Sequence, residues 1–450
     1  MSPFNLSEGT MNAKVFLTVK RTTWKALLLT LLISLLTYTV ALAASGGLDN
    51  TFSGDGKLTT NIGGKLKNDY GRGVAIQSDG KIIVAGEHRD DAWTNEDFAV
   101  VRYKANGALD KTFSGDGKAT ANFGGIDQAT GVVLQSDNKI VVAGQICDDQ
   151  SICDVALARF NSNGSLDTTF SKDGKVTTDF GGDDNGSYGG VAIQSNGKIV
   201  VVGYMYNGSD YDMAIHRYNA NGSLDKTFSG DGRAKVGFGA GRNDNAIGVA
   251  IQSDGKIVIA GDTCDASYEN CKFAAARLNS NGTLDATFSG DGKQTTNLGG
   301  SDTGWAVALQ SDGKIVVAGY KETASDSLFA LVRYKSDGNL DNTFSKDGKA
   351  TTNLAAGIPD QAYAMAIQSN GKIIAVGKTG ADGSRNFALV RYKANGALDK
   401  TFSGSGKVIT DFGGDDYARA VALQSNGRIV VAGSYYDGAD WDFAVARYLP

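Results

Sequence analysis

The sequence is short of the residues on which most enzyme chemistry depends. Its 450 residues include 2 histidines, 4 cysteines and 3 prolines. Two histidines leave little for imidazole catalysis or histidine-based metal binding. With so little proline, the 60 glycines do not belong to collagen-like or proline-rich segments; they indicate many tight turns between short strands. No G-x-S-x-G, H-E-x-x-H, phosphate-binding loop or paired C-x-x-C motif occurs. A basic excess is also missing. The formal charge is −5, and the first 43 residues hold four bases against one acid, so the remainder carries −8. That balance excludes a nucleic-acid-binding surface. What is present is enough apolar material, 41 %, to build a sizeable core, beside 21 % charged residues.

The one long apolar run is at the N-terminus. A basic stretch ends at Lys25, residues 26–43 are mainly apolar, and Ala41-Leu42-Ala43 fits a small-residue cleavage site. The pattern predicts a signal peptide over residues 1–43 and a mature protein that starts near Ala44, extracellular or periplasmic, with no membrane span. An uncleaved anchor is the alternative, since the run is near the lower limit for crossing a bilayer. Thr30, Ser34, Thr37 and Thr39 dilute it and favour cleavage. Met11 is a second candidate start.

Repetition governs residues 44–450. The phrase L-D-x-T-F-S begins at Leu48, Leu109, Leu166, Leu224, Leu284, Leu340 and Leu398, an average step of about 58 residues. Each unit adds a V-A-I-Q-S-D-G-K-I-V-V-A-G-like stretch and an F-A-x-x-R-Y-like segment. In the first unit these predict strands at 74–77, 81–86 and 98–103, with the middle one apolar on both faces. Asp79-Gly80 between the first two strands is a type I′ hairpin signal, and Asn106-Gly107 marks another turn before the L-D phrase. The fourth strand is therefore expected at or beside 109–113. Four antiparallel strands per unit make a propeller blade. The first L-D phrase lacks a hairpin before it, and the last unit ends at Pro450 without its fourth strand. Pairing these orphans gives an all-β, single seven-bladed β-propeller, its last blade completed by the N-terminal strand, with no open sheet edge. A monomer is expected.

The L-D-x-T-F phrase, the G-K-x-T-T-x-F-G-G stretch and A-I-Q-S-D-G-K-I-V-V-A-G together resemble the bacterial delta-60 repeat family. The resemblance spans nearly all of residues 46–450. It implies a β-propeller in an exported bacterial protein and brings no catalytic residues with it.

Aligning the seven units against one another sorts their positions by chemistry. Arg102, Arg159, Arg217, Arg277, Arg333, Arg391 and Arg447 share one place, and Asp49, Asp110, Asp167, Asp225, Asp285, Asp341 and Asp399 another. Matched sevenfold, they read as repeated structural ion pairs. A second acidic set, Asp69, Asp127, Asp244, Asp302, Asp360 and Asp416, precedes the innermost strand, with Gly186 in blade three. Around a channel mouth these carboxylates have the oxygen chemistry of a Ca²⁺ site; the other reading is that each caps its own turn. No other cofactor is expected. His88 and His216 belong to no repeated ring and read as isolated residues.

The loops between strands two and three differ in every unit. Two carry cysteine pairs, predicting disulfides Cys147–Cys153 and Cys264–Cys271. They also place Trp93, Tyr204, Tyr206, Tyr211, Tyr435, Tyr436 and Trp441 among acids and amides. The expected function is an exported scaffold that binds a protein or carbohydrate through these loops on one face. The rival is a propeller lyase or hydrolase with a cation-dependent site at the acidic channel mouth.

Overall fold

The computed structural model describes residues 45–64, 67–89, 95–179 and 189–450. The expected signal segment, Trp93 and Gly186 lie outside the described residues. Among the described residues there are 28 strands and no helix. They form seven antiparallel four-stranded blades, each running outward from an inner strand. Blade one contains Asn68–Ile76, Ile82–Arg89, Glu96–Tyr103 and Lys118–Ala121. One parallel bridge, Glu96 to Ile126, links its third strand to blade two.

Alternation and burial explain the layering. The second and third strands of a blade are apolar on both faces because neighbouring blades cover both. Ile82, Ile83, Val84, Ala99, Val100 and Val101 are accordingly all fully buried. Each apolar cluster spans two adjacent blades; one joins Ile83 and Phe98 of blade one to Val142 and Ala156 of blade two.

Blade seven consists of Asp415–Leu423, Ile429–Tyr436, Trp441–Tyr448 and the N-terminal strand Lys57–Thr60, paired from Lys57↔Ala446 to Thr60↔Phe443. Blades seven and one share a further cluster containing Phe52, Val84, Val430 and Phe443. The ring is closed. At the joint, the Leu449 N–H donates to Gly47 O (2.9 Å) and the Gly46 N–H to Leu449 O (3.0 Å). In blade one the Lys104 N–H donates to Ala108 O (2.8 Å) and the Gly107 N–H to Lys104 O (2.9 Å). The joint is thus the ordinary blade turn, interrupted between positions 450 and 45.

Two local expectations are corrected. The fourth strand is not the L-D phrase but the K-x-T-T-like segment after it, such as Lys118–Ala121. Leu109 contributes only a single bridge to Tyr103. The reason lies in the phrase itself. Asp110 Oδ1 accepts hydrogen bonds from the Thr112 N–H and hydroxyl, the Phe113 N–H donates to Asp110 O, and Ser114 takes a positive φ of 53°. This coils the chain before it can extend. The hairpin is also not type I′. Only Gly80 is left-handed (φ 83°), and the Gln77 N–H donates to Lys81 O across a three-residue loop, a type I turn with a glycine bulge. Blade two fills that position with Asn138, φ 63°.

Candidate functional site

The sevenfold Arg and Asp form ion pairs in every blade, from Arg102–Asp110 to Arg447–Asp49, at 2.7–2.9 Å. Each guanidinium also lies over the phenylalanine of its own phrase, 4.3–5.1 Å from the ring centre. In six blades it donates to a backbone carbonyl of the next blade as well, such as Arg277 to Ser336 O at 2.5 Å. Arg391 reaches the Ser45 hydroxyl instead, at 3.0 Å. These groups staple blade to blade, and their chemistry is used up in doing so.

The six aspartates of the second set are fully buried. Each closes the connection arriving from the preceding blade by accepting a backbone N–H: Asp69 from Ile62 (2.6 Å), Asp127 from Phe123 (2.5 Å), Asp244 from Phe238 (2.6 Å), Asp302 from Leu298 (2.5 Å), Asp360 from Leu354 (2.6 Å) and Asp416 from Phe412 (2.7 Å). Among the described residues no group of three or more His, Cys, Asp or Glu is arranged to hold a metal ion. Burial pushes the carboxyls of Asp127 and Asp244 up to about 6 and that of Asp416 to about 7. The Oδ1 atoms of Asp127, Asp302 and Asp416 are buried without a hydrogen-bond partner, which favours the neutral acid.

Neither histidine is as isolated as expected. His88 is on the second strand of blade one, opposite Asp69, with Nδ1 2.6 Å from its carboxylate. His216 lies within blade three, where burial and then Arg233 push its imidazole down to about 3.

Among the described residues, the aromatics expected in the loops lie instead on the strand ends that flank them. Tyr204 and Tyr206 belong to Ile199–Tyr206, Tyr211 to Tyr211–Tyr218, Tyr435 and Tyr436 to Ile429–Tyr436, and Trp441 to Trp441–Tyr448. The second and third strands pair further out than the apolar run alone indicates. These aromatics separate into two groups. In blade three, Tyr211 lies 5.4 Å from both Tyr204 and Tyr206. In blade seven, Tyr436 and Trp441 are 5.2 Å apart, and Trp441 also meets Tyr417 (4.9 Å) and Tyr70 (5.7 Å), from the inner strands of blades seven and one. Tyr435 belongs to neither group; it lies 6.1 Å from Phe412, opposite Asp416. The disulfides Cys147–Cys153 and Cys264–Cys271 both form, with Cα atoms 4.0 Å apart.

The most diversified interior position was not singled out from the sequence. The inner strands of six blades carry a one-residue bulge at an equivalent place, at Arg72, Thr130, Ile247, Trp305, Tyr363 and Arg419. In blade three Gly189 occupies the aligned place. A glycine on the second strand makes each bulge possible. A Cβ on Gly433 would lie 1.9 Å from Tyr417 O, and one on Gly86 would lie 1.8 Å from Tyr70 O. All seven positions line one central cavity of about 340 Å³, joined by Glu87, Arg89 and Gln128. Its walls are unequal. Blades five, six, seven and one contribute Trp305, Tyr363, Arg419 and Arg72, whereas blades two, three and four contribute Thr130, Gly189 and Ile247. Arg419 lies over Tyr363, 4.2 Å from the ring centre, with Tyr417 at 5.2 Å and Trp305 at 5.7 Å. Arg72 pairs with Glu87 at 2.7 Å, and Arg89 with Glu96. The signal available in the sequence was a variable residue between two small ones, as in Gly71-Arg72-Gly73 and Ala418-Arg419-Ala420.

Closed ring, repeated staples and a single diversified channel position define a seven-bladed β-propeller. The chain belongs to the family described as domain of unknown function (DUF5122) beta-propeller, which matches residues 77–113, 135–170, 194–228, 252–288, 310–344, 368–402 and 424–450. Comparison with curated proteins found no match. Among solved structures, the chain is similar to virginiamycin B lyase from Staphylococcus aureus (10 % identity, 87 % of this chain and 98 % of that one, TM-score 0.49). It is also similar to a PL25 ulvan lyase (11 %, 90 % and 94 %, 0.46) and to the extracellular domains 1–2 of Drosophila Semaphorin 1b (9 %, 90 % and 88 %, 0.44).

Proposed function

We propose that the protein is an exported binding scaffold whose protein or carbohydrate partner docks on the face carrying the strand two-to-three connections. The observation that carries this reading is the blade-seven aromatic group. Tyr436 and Trp441, at the end of that connection, continue through Tyr417 and Tyr70 to the inner strands. Closely packed, mutually tilted rings with polar edges suit sugar faces and protein hot spots alike. Export is supported by the basic-apolar-Ala41-Leu42-Ala43 pattern, by the resemblance to delta-60 repeats and by the two disulfides. Among the described residues no helix is long and apolar enough to cross a membrane. Glycan and protein arrays test the reading. Binding that falls at least tenfold in Tyr436→Ala and Trp441→Ala supports it, and binding that survives both together overturns it.

A further inference from the structure

We infer that the central cavity binds an acidic sugar, a pyranose carrying a carboxylate. The cavity adjoins the loop-face aromatics, since Tyr417 meets both Arg419 (5.2 Å) and Trp441 (4.9 Å), but its argument uses only the bulge positions and their neighbours. Around this cavity Arg72 pairs with Glu87 and Arg89 with Glu96, and Arg419 adds a third guanidinium, so these residues carry one more positive charge than negative. The same sign of potential is felt nearby. Burial, then the charges of Arg385 and Arg419, hold the Lys378 ammonium down to about 8. A cavity of this charge favours an anion, and a planar guanidinium favours a planar carboxylate, which it can meet with two parallel N–H donors.

The rest of the lining narrows the class. Arg419 lies over Tyr363, 4.2 Å from the ring centre, and Trp305 sits edge-on to the same tyrosine at 4.8 Å. Rigid aromatic surface beside a cation matches the C–H face of a sugar ring whose acid group projects from its edge. The opposite wall is uncharged, made by Thr130, Gly189, Gly190 and Ile247. Thr130 donates its hydroxyl to Gly189 O at 2.8 Å, which leaves its oxygen free to accept from a ligand hydroxyl, and Gly189 and Gly190 leave space. An unsubstituted aromatic acid such as benzoate has no hydroxyls to offer this wall, and a neutral sugar has no carboxylate for the arginines. The cavity volume of about 340 Å³ suits one or two sugar rings.

The diversity of the ring supports a ligand over a packing role. In a sevenfold repeat, a position serving only the fold meets the same surroundings seven times and keeps one residue type, as the Arg–Asp staples do. The six bulge positions meet the same backbone each time and hold five different residues, with Gly189 at the aligned place of blade three. Their chemistry is sorted by side, cationic and aromatic on one wall and uncharged and non-aromatic on the other.

The test uses the full chain with glucuronate, galacturonate, glucose and benzoate, followed by calorimetry and ligand-observed NMR. Both uronates are expected to bind at least tenfold more tightly than glucose or benzoate. Arg419→Gln is expected to weaken uronate binding roughly tenfold, the loss of one charge-assisted contact. Thr130→Trp, which fills the cavity from the neutral wall without touching an arginine, is expected to abolish it. Tyr436→Ala, on the loop face, is expected to leave it unchanged. The inference is overturned if neither uronate binds, if glucose or benzoate binds as tightly, or if Arg419→Gln and Thr130→Trp bind undiminished. Uronate binding lost in Tyr436→Ala but kept in Arg419→Gln assigns the ligand to the loop face and overturns it too. Array binding insensitive to the loop aromatics defeats the loop reading alone and leaves this one standing.

Discussion

The staples and the bulge ring occupy the same blades and could hardly differ more. At the staple, seven arginines meet seven aspartates and lie over seven phenylalanines with nearly the same geometry. At the bulge, one backbone device presents arginine, threonine, isoleucine, tryptophan, tyrosine and arginine again, with glycine at the aligned place of blade three. The difference separates two uses of a repeat. Where every copy must contact the next one, the side chain is dictated by its neighbours. Where the backbone alone is dictated, the side chain is released to serve something outside the fold.

Several substitutions would break or sharpen that contrast. The largest effect is expected from deleting residues 48–60, which removes the outer strand of blade seven and the Asp49 partner of Arg447. Two sheet edges open, and chemical denaturation should no longer show a single cooperative transition. Next is Arg277→Ala. It leaves Asp285 buried and unpartnered by its guanidinium and removes the reach to Ser336 O, so unfolding experiments should show a loss of about 3–5 kcal/mol. Gly433→Ala places a methyl against Tyr417 O and should cost roughly 1–3 kcal/mol in the same measurement. Its effect on the bulge should also move Arg419, visible as a change in Trp305 fluorescence. Opening the Cys147–Cys153 disulfide by replacing both cysteines with serine constrains only a short loop, and about 2 kcal/mol is the expected loss.

The smallest effect is a pH dependence, and the two acidic sets give it opposite signs. Asp416 is raised by burial to about 7. A carboxyl raised on folding stabilises below its unfolded value of about 4, and that stability is lost as pH rises through about 7. Asp285 is also pushed up by burial, but hydrogen bonds from Thr287 and Lys256 and the charge of Arg277 outweigh this and hold it below the usual carboxylate range. Its contribution is present above about pH 4 and lost as pH falls further. Melting temperature should therefore decline from mildly acidic to mildly alkaline pH, and Asp416→Asn should flatten that decline.

What the sequence made legible follows the same division. Blade number, ring closure, the two disulfides and the Arg–Asp pairs were all readable because they repeat or are fixed by short spacing. The outer strand was misplaced because Leu109–Phe113 carries strand-like residues, while the turn made by Asp110, Thr112 and Ser114 depends on side-chain hydrogen bonds that alternation does not register. The bulge ring was missed for a different reason. A bulge shifts the alternation of inner and outer residues by one, and an Arg or Trp between small residues reads as variation rather than as a direction in space. Tyr436 and Trp441 were named from the sequence, but their neighbours Tyr70 and Tyr417 come from inner strands that no local pattern connects to them.

Blade five holds one residue of each kind, and comparing them tests the central claim most directly. Arg333 is buried, pairs with Asp341 at 2.9 Å and reaches into blade six, whereas the larger Trp305 faces the cavity. Chemical unfolding of Arg333→Ala and Trp305→Thr, measured side by side, gives the result. The account predicts a loss of about 3–5 kcal/mol for the arginine and about 1 kcal/mol for the tryptophan, despite its greater size. A tryptophan variant destabilised as much as the arginine variant would show that the channel position serves the fold and would contradict the account.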